Sequence, residues 1–423
     1  MRRIAIIGWV IIEAICTFVK DSSFQERSKM REQDFTRNRK MSFINCIRCI
    51  LSGLKNGLHQ GVKDALRELG CDTNYSKQAF SKRRRQIRPE AFKEILALTV
   101  REFYGKAPFH RWHGHRVLAI DGTKYNLPTS QELLEMYGSQ QGSNNQIQAM
   151  GSCLYDVLNG MILDAQLAPY YANERALAEN HLQILSETMK QESTQELILI
   201  DRGYPSAKLI ETMEKHGFHY VMRCSKEFCR SMRLRGTDCT IMHHFLKSTK
   251  ELKLRVLKIV LEDSEEILIT NLYDAHLTYE DFLSLYHLRW GIEENYKRQK
   301  VIMEIENFSG TGAIAVQQDF YATLIISNIA AAFVFDNEDA IRKYNEEHEH
   351  KYEYKQNLTA TIGELRGNLL DLIGTRSAFS RRKHYKALIA GLQSVLVPIR
   401  LGRTNERKRL HLSQRFPQNL RKS

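Results

Sequence analysis

The chain lacks a segment that reads as a membrane span. The nearest approach, Ile4 to Val19, follows two arginines but is too short to cross a bilayer, carries Glu13 and runs into charged sequence with no small-residue cleavage site. It is expected to be a buried helix or a leader, and a membrane is not an expected partner. Cysteines are few, 8 in 423 residues, and unevenly spaced, which argues against a disulfide framework and suits reduced thiols in the cytoplasm. Acidic residues are in deficit: 49 Asp and Glu against 62 Lys and Arg leave a formal charge of +13. Such a surplus attracts polyanions, nucleic acid first among them, although a basic surface kept for solubility has the same composition. Otherwise the balance of 43% hydrophobic and 26% charged residues is that of a globular chain long enough to bury two or three cores.

Proline is scarce as well, 7 in all. From Asp21 to about Lys106 the pattern is basic and helical, with Phe43, Ile47, Ile50, Leu51 and Leu54 at helix spacing. Gly61 to Leu69 predicts one helix, Gly70 to Tyr75 a turn, and Ser76 the cap of a second helix running to about Gln86. That layout suits side chains placed in a major groove or on phosphates, and it makes Lys82, Arg83, Arg84, Arg85 and Arg88 the candidate DNA contacts. The alternative is a solvated charged helix.

At His115 the character changes. The run RVLAIDGTKYNLP predicts a strand ending at Asp121 before a glycine turn. Two extended segments, Ile147 to Leu158 and Met161 to Tyr170, are joined by Asn159-Gly160, a hairpin signal, and Asn173 caps a helix to about Lys190. LILID then predicts a strand buried on both faces that ends at Asp201, followed by a helix from Ser206 to His216 and a strand from Tyr220 to Arg223. From Cys224 to about Asn271 the pattern is an insertion, mainly β. Helical pattern returns after Thr278 and again from Phe320 to Phe335, and residues 376–423 carry about twelve more positive than negative charges, either clamping DNA or solvated. The expected divisions are therefore 1–106, a helical DNA-binding domain; 107–223 and 276–345, two parts of one α/β core; 224–275, the β-rich insertion; and 346–423, a helical basic C-terminal region.

An aspartate at a strand end is by itself more often a turn-former than a catalyst. Two such aspartates on adjacent parallel strands would nevertheless bring two carboxylates to one sheet edge. A third comes with a spacing. Tyr286, Arg289, Glu293 and Lys300 follow one another at steps of three, four and seven, which on a helix form one stripe. An amphipathic helix laced with ion pairs would explain the Glu and the Arg, but not the whole spacing.

Tyr-x2-Arg-x3-Glu-x6-Lys resembles the YREK signature of bacterial insertion-sequence transposases of the IS-four type, and AIDGT, LIDRGYPS, YDVLNGMILDA and NERALAENH are similar to that family's sequence around its two aspartates. The likeness runs from roughly Phe80 to Phe335. It implies an RNase H-like catalytic core interrupted by a β-rich insertion, and a DDE transposase performing cut-and-paste transposition. Asp121, Asp201 and Glu293 would hold two Mg²⁺ ions, for which Mn²⁺ could substitute, and Tyr286, Arg289 and Lys300 would contact the DNA backbone. The implied partners are double-stranded DNA, as terminal inverted repeats and target, and a second subunit in a homodimeric synaptic complex; the implied place is the bacterial nucleoid. The insertion has no Trp, so a wedge for a flipped base at a hairpin step would fall to Phe228, Phe245 or a residue outside it. A DNA-binding protein without catalysis and an RNase H-fold nuclease stand as alternatives.

Three other groups are weaker. Cys46 and Cys49 form a CxxC inside a helical pattern and suit buried thiols. Cys224, Cys229, Cys239 and His243 are too loosely spaced for a ready zinc site. His110, His113 and His115 flank a turn and suit packing or phosphate contact, not a two-metal oxygen site.

Overall fold

The computed structural model describes residues 6–37, 40–54, 58–71, 74–140, 146–189, 195–230, 232, 236–245, 250–260, 265–374 and 376–400. The basic stretch after Arg400 lies outside the described residues. The chain divides into two compact units, a helical one of residues 1–108, 126–148 and 298–423, and an α/β one of residues 109–125 and 149–297.

The helical unit begins with α1 (Ile7–Phe18), α2 (Ser22–Ser28), α3 (Phe43–Leu51), α4 (Leu58–Glu68), α5 (Lys77–Arg84), α6 (Glu90–Lys106) and α7 (Gln131–Tyr137). Its later part holds α12 (Ala313–Glu347), α13 (Leu358–Ile373) and α14 (Ala378–Leu392), with β9 (Tyr354–Gln356) and β10 (Leu396–Pro398) paired antiparallel. The boundary drawn at Lys106 therefore needs correction: α1, α3 and α6 pack on α12, so residues 1–106 do not close a core of their own. Helix α12 is longer than the expected Phe320–Phe335 and is apolar enough to cross a membrane, yet 83% of its most apolar stretch is buried inside the protein. It is a core helix. So is α1, where Ile7, Ile11, Ile12 and Ile15 are buried and Asp336 of α12 accepts the amides of Ile7 at 2.7 Å and Gly8 at 2.8 Å. The carboxylate satisfies two of the amide donors that every helix start leaves open. The predicted pair α4 and α5 is present, with Ser76 Oγ accepting from Ala79 N at 3.1 Å.

The α/β unit is built on β1 (His115–Asn126), β2 (Gln148–Asp156), β3 (Ile162–Pro169), β4 (Gln195–Ile200), β5 (His219–Cys224), β6 (Asp238–His244), β7 (Glu251–Val260) and β8 (Glu265–Thr270). They form one mixed sheet in the order β3-β2-β1-β4-β5-β8-β7-β6. Helices α8 (Glu174–Ile184), α9 (Ala207–His216), α10 (Tyr279–His287) and α11 (Trp290–Val301) belong to the same stretch of chain, and the unit boundary falls within α11 after Lys297. Strands β1, β4 and β5 run parallel, and Val117–Ile120, Leu197–Ile200 and Tyr220–Met222 are wholly buried, as an apolar run covered on both faces requires. The hairpin between β2 and β3 turns at Gly160 with φ 70°, while Asp156 Oδ1 accepts the amides of Leu158 and Asn159.

Two expectations change here. In the stretch expected to be a mainly β insertion, β8 pairs antiparallel with β5, and β7 and β6 follow, so these strands lengthen the main sheet. The open edge of β5 supplies the backbone groups that make this pairing favourable. Strand β1 also does not stop at Asp121. It continues to Asn126, and Tyr125 lies so close over β2 that a Cβ on Gly151 would sit 2.1 Å from its ring.

Arg116 and Glu196 face each other across β1 and β4, bidentate at 2.9 and 2.6 Å and almost wholly buried. Removing one member leaves a buried charge unpaired, which costs about 3–5 kcal/mol, whereas an apolar pair is tolerated. Glu196→Gln should lose about that much in urea denaturation, and Arg116→Met with Glu196→Leu should recover most of it; equal losses in both variants would contradict this.

Candidate active site

The ladder between β1 and β4 ends at the pair Ile120 and Ile200. The next residues, Asp121 inside β1 and Asp201 just past the end of β4, therefore stand side by side where the ladder between the two parallel strands stops. Gly122 N donates to Asp121 Oδ1 at 2.8 Å. Asp201 Oδ1 accepts from Arg223 Nη2 at 3.0 Å and from the Tyr286 hydroxyl at 3.3 Å, and Arg223 Nη1 reaches Glu266 at 2.5 Å.

The segment carrying Tyr286 and Glu293 is not the single helix its spacing predicts. Helix α10 ends at His287, and Arg289 N and Ile292 N bond to carbonyls three residues back, Tyr286 O and Arg289 O. This overwound turn interrupts the helix but keeps the side chains together: the Arg289 guanidinium lies 5.7 Å from the Tyr286 ring centroid. Tyr286 is turned onto Asp201, while Arg289, 3% exposed, donates from Nη2 to Glu293 Oε1 at 2.8 Å. Its Nε and Nη1 are buried without a partner. Lys300, on the last turn of α11, belongs to the helical unit, where burial lowers its pKa against the opposing effect of Glu306.

These charges act on one another. Burial, with the charges of Asp201 and Glu293, pushes the Asp121 carboxyl up to about 6 against the Gly122 amide and Arg289. Burial also acts to raise Asp201, but the Arg202 amide, Arg289, Arg223 and the Tyr286 hydroxyl together hold it below the ordinary carboxylate value. Sequence reasoning missed Arg223 and Tyr204. Arg223 could have been found as a charge inside the apolar run YVMRC; Tyr204, two residues past the LID strand, buries a hydroxyl without a partner close to Asp121, Glu174 and Asp201.

The donor set near Asp121 is carboxylate oxygen, the chemistry of a hard divalent ion. Among the described residues, no three His, Cys, Asp or Glu side chains are placed around one point, and Glu293 is paired with Arg289. The same holds for Cys224, Cys229, Cys239 and His243. The rings of Phe228 and Phe245 pack at 5.2 Å and Phe245 is buried, whereas Trp290 beside Arg289 is 48% exposed.

The basic residues of α5 divide. Arg83 and Arg84 are corrected as DNA contacts, since both are buried: Arg83 donates to Met41 O at 3.0 Å and lies over the Phe35 ring, and Arg84 binds Gln318, Ser309 and Asp319 at 2.8, 2.6 and 2.7 Å. Lys82 and Arg85 are exposed and, with Lys77, line a cleft of about 920 Å³ in the helical unit; Arg88 is exposed and donates to Lys29 O at 2.8 Å.

Residues 112–329, more than half of the chain, match the family described as Transposase DDE domain. The chain belongs to that family. It is 22% identical over 267 residues to the transposase InsG for insertion sequence element IS4 of Escherichia coli (strain K12), a match that spans only 58% of each chain. In structure it is similar to piggyBac transposase in a synaptic complex with hairpin DNA, with 10% identity, a TM-score of 0.49 and coverage of 94% of this chain and 87% of that one.

For a carboxyl raised by folding, the ionised form is disfavoured in the folded state; the stability this withholds is fully withheld above about pH 6 and returns as pH falls toward the unfolded carboxylate range. In metal-free buffer Asp121→Asn should therefore melt higher than the wild type at pH 7.5, with the gain shrinking between pH 6 and pH 4. A variant that melts lower at pH 7.5 would contradict this.

Proposed function

We propose that the protein is a DNA transposase that cleaves the ends of its element with divalent metal and joins them to target DNA. The observation that carries this reading is that Asp121 and Asp201 stand side by side where the β1–β4 ladder stops, with Glu293 in electrostatic reach of Asp121, in a chain of the DDE family. The parallel β1, β4 and β5 flanked by the antiparallel pair β2 and β3 support an RNase H-like core, with residues 224–275 as its insertion. The match to an insertion-sequence transposase supports the same activity.

Asp121, Asp201 and Glu293 are the residues that would hold two Mg²⁺, or Mn²⁺ in their place, once Glu293 leaves Arg289. Ions bound there supply activation of the attacking oxygen and neutralisation of the leaving one. Arg289 then has its whole fork free for phosphate oxygens, a planar donor suited to them. Arg223 and Tyr286 keep Asp201 ionised and oriented. In the first step a water oxygen bonds to phosphorus at the element end, the P–O3′ bond breaks, and the proton ends on the released 3′ hydroxyl. In the second, that hydroxyl displaces a 3′ oxygen of the target strand. Tyr286, buried with its hydroxyl on Asp201, is kept for orienting that carboxylate and not for DNA; Lys300, Lys82, Arg85 and Arg88, all of the helical unit, would hold DNA phosphates. The partners are double-stranded terminal repeats and target, with two subunits bridging two ends, and the place of action is the bacterial nucleoid.

The test uses the full chain and a plasmid carrying the DNA that flanks the gene. With Mg²⁺ or Mn²⁺ the wild type should nick and join ends, and Asp121→Ala or Glu293→Gln should cut at least about a hundredfold more slowly; cleavage undiminished in Asp121→Ala sinks the assignment. In a second measurement Arg85→Glu should weaken DNA binding and flatten its salt dependence without loss of stability, whereas Arg84→Gln should lower the melting temperature. The opposite pattern would return Arg84 to the DNA-contacting set.

A further inference from the structure

A serine, a histidine and an aspartate stand in line behind the site. Ser152 Oγ lies 3.0 Å from His181 Nε2, and His181 Nδ1 lies 2.6 Å from Asp164 Oδ2. The spacing is that of a nucleophile with its base, but Ser152 and His181 are 1% and 0% exposed, so no substrate reaches them. Their hydroxyl points elsewhere: Ser152 Oγ donates to the main-chain carbonyl of Asp121 at 3.3 Å. A second hydroxyl meets the same oxygen, that of Tyr296, at 2.6 Å.

That carbonyl follows the last β1–β4 pair, Ile120 with Ile200, so β4 no longer holds it. Tyr296 stands three residues after Glu293 on α11, one helical turn away and on the same side. It is buried, and its ring meets Tyr125 edge-on at 6.4 Å, over the close approach that Gly151 permits. A phenol is a rigid arm with two torsions, so the bond from its tip to Asp121 fixes how far the helix bearing Glu293 stands from the strand bearing Asp121.

We infer that Tyr296 is a positioning residue that sets the separation of Asp121 and Glu293 by holding the Asp121 carbonyl, with Ser152, braced by His181 and Asp164, as its counterpart from β2. The inference rests on the proposed metal role of the carboxylates for its consequence, but not for its geometry.

Tyr296→Phe in the full chain removes the hydroxyl and keeps the ring. Hydrogen exchange of peptides covering 119–126 should quicken about fivefold to tenfold, the range of one hydrogen bond, with little change elsewhere. Calorimetric Mn²⁺ affinity should fall by a similar factor, and cleavage should lose kcat at unchanged KM, while the melting temperature stays within a few degrees. Exchange at 119–126 and Mn²⁺ affinity both equal to the wild type would overturn the inference. Should Tyr296→Phe not fold, Ser152→Ala reads the same carbonyl from the other side, with the same expected and overturning results. Should Asp121→Ala bind Mn²⁺ as tightly as the wild type, the metal reading fails on its own, and the exchange at 119–126 alone decides the role of Tyr296.

Discussion

The site depends on the parallel register of β1 and β4. Because Val117 to Ile120 pair in step with Leu197 to Ile200, the residue after each run is an aspartate and the two emerge side by side. A slip of one residue would send one carboxylate to the opposite face of the sheet. Burial of apolar side chains on both faces opposes such a slip, and the buried Arg116 and Glu196 pair marks the register near the other end of the ladder.

Around that edge the protein gathers negative charge that folding alone does not favour. Asp121 is desolvated beside Asp201 and Glu293, and the structure offsets this with guanidiniums: Arg223 on Asp201, Arg289 on Glu293. Arg289 leaves two donors without partners, and Tyr204 buries a hydroxyl without one. Unsatisfied donors beside crowded carboxylates are costly in a merely structural core and are expected where a charged ligand completes the set. The hydroxyls of Tyr296 and Ser152 on the Asp121 carbonyl tie this arrangement into α11 and β2.

Features governed by local rules were legible in the sequence. Asp201 at the end of an apolar strand, the Asn159-Gly160 hairpin, the Ser76 cap and the spacing from Tyr286 to Lys300 all depend on residues close in the chain. What was not legible depended on distant ones. Arg83 and Arg84 look like any basic pair on a helix until Met41, Gln318 and Asp319 are brought against them. The β-rich insertion could be seen, but not that it would pair with β5, because strand pairing leaves little mark in composition. The turn at Leu288 and Arg289 was hidden by a spacing that fits an unbroken helix, and Tyr296 was hidden because its partner is a backbone carbonyl.

The proposed divalent-metal site of Asp121, Asp201 and Glu293 can be mapped directly. Loading the full chain with Fe²⁺ in place of Mg²⁺ and adding ascorbate and peroxide generates hydroxyl radicals at the bound ion, which cut the nearby backbone. Cuts should cluster near residues 121, 201 and 293, be suppressed by excess Mg²⁺ and be absent in Asp121→Ala. Cuts confined to other segments, or unchanged in Asp121→Ala, would contradict that site.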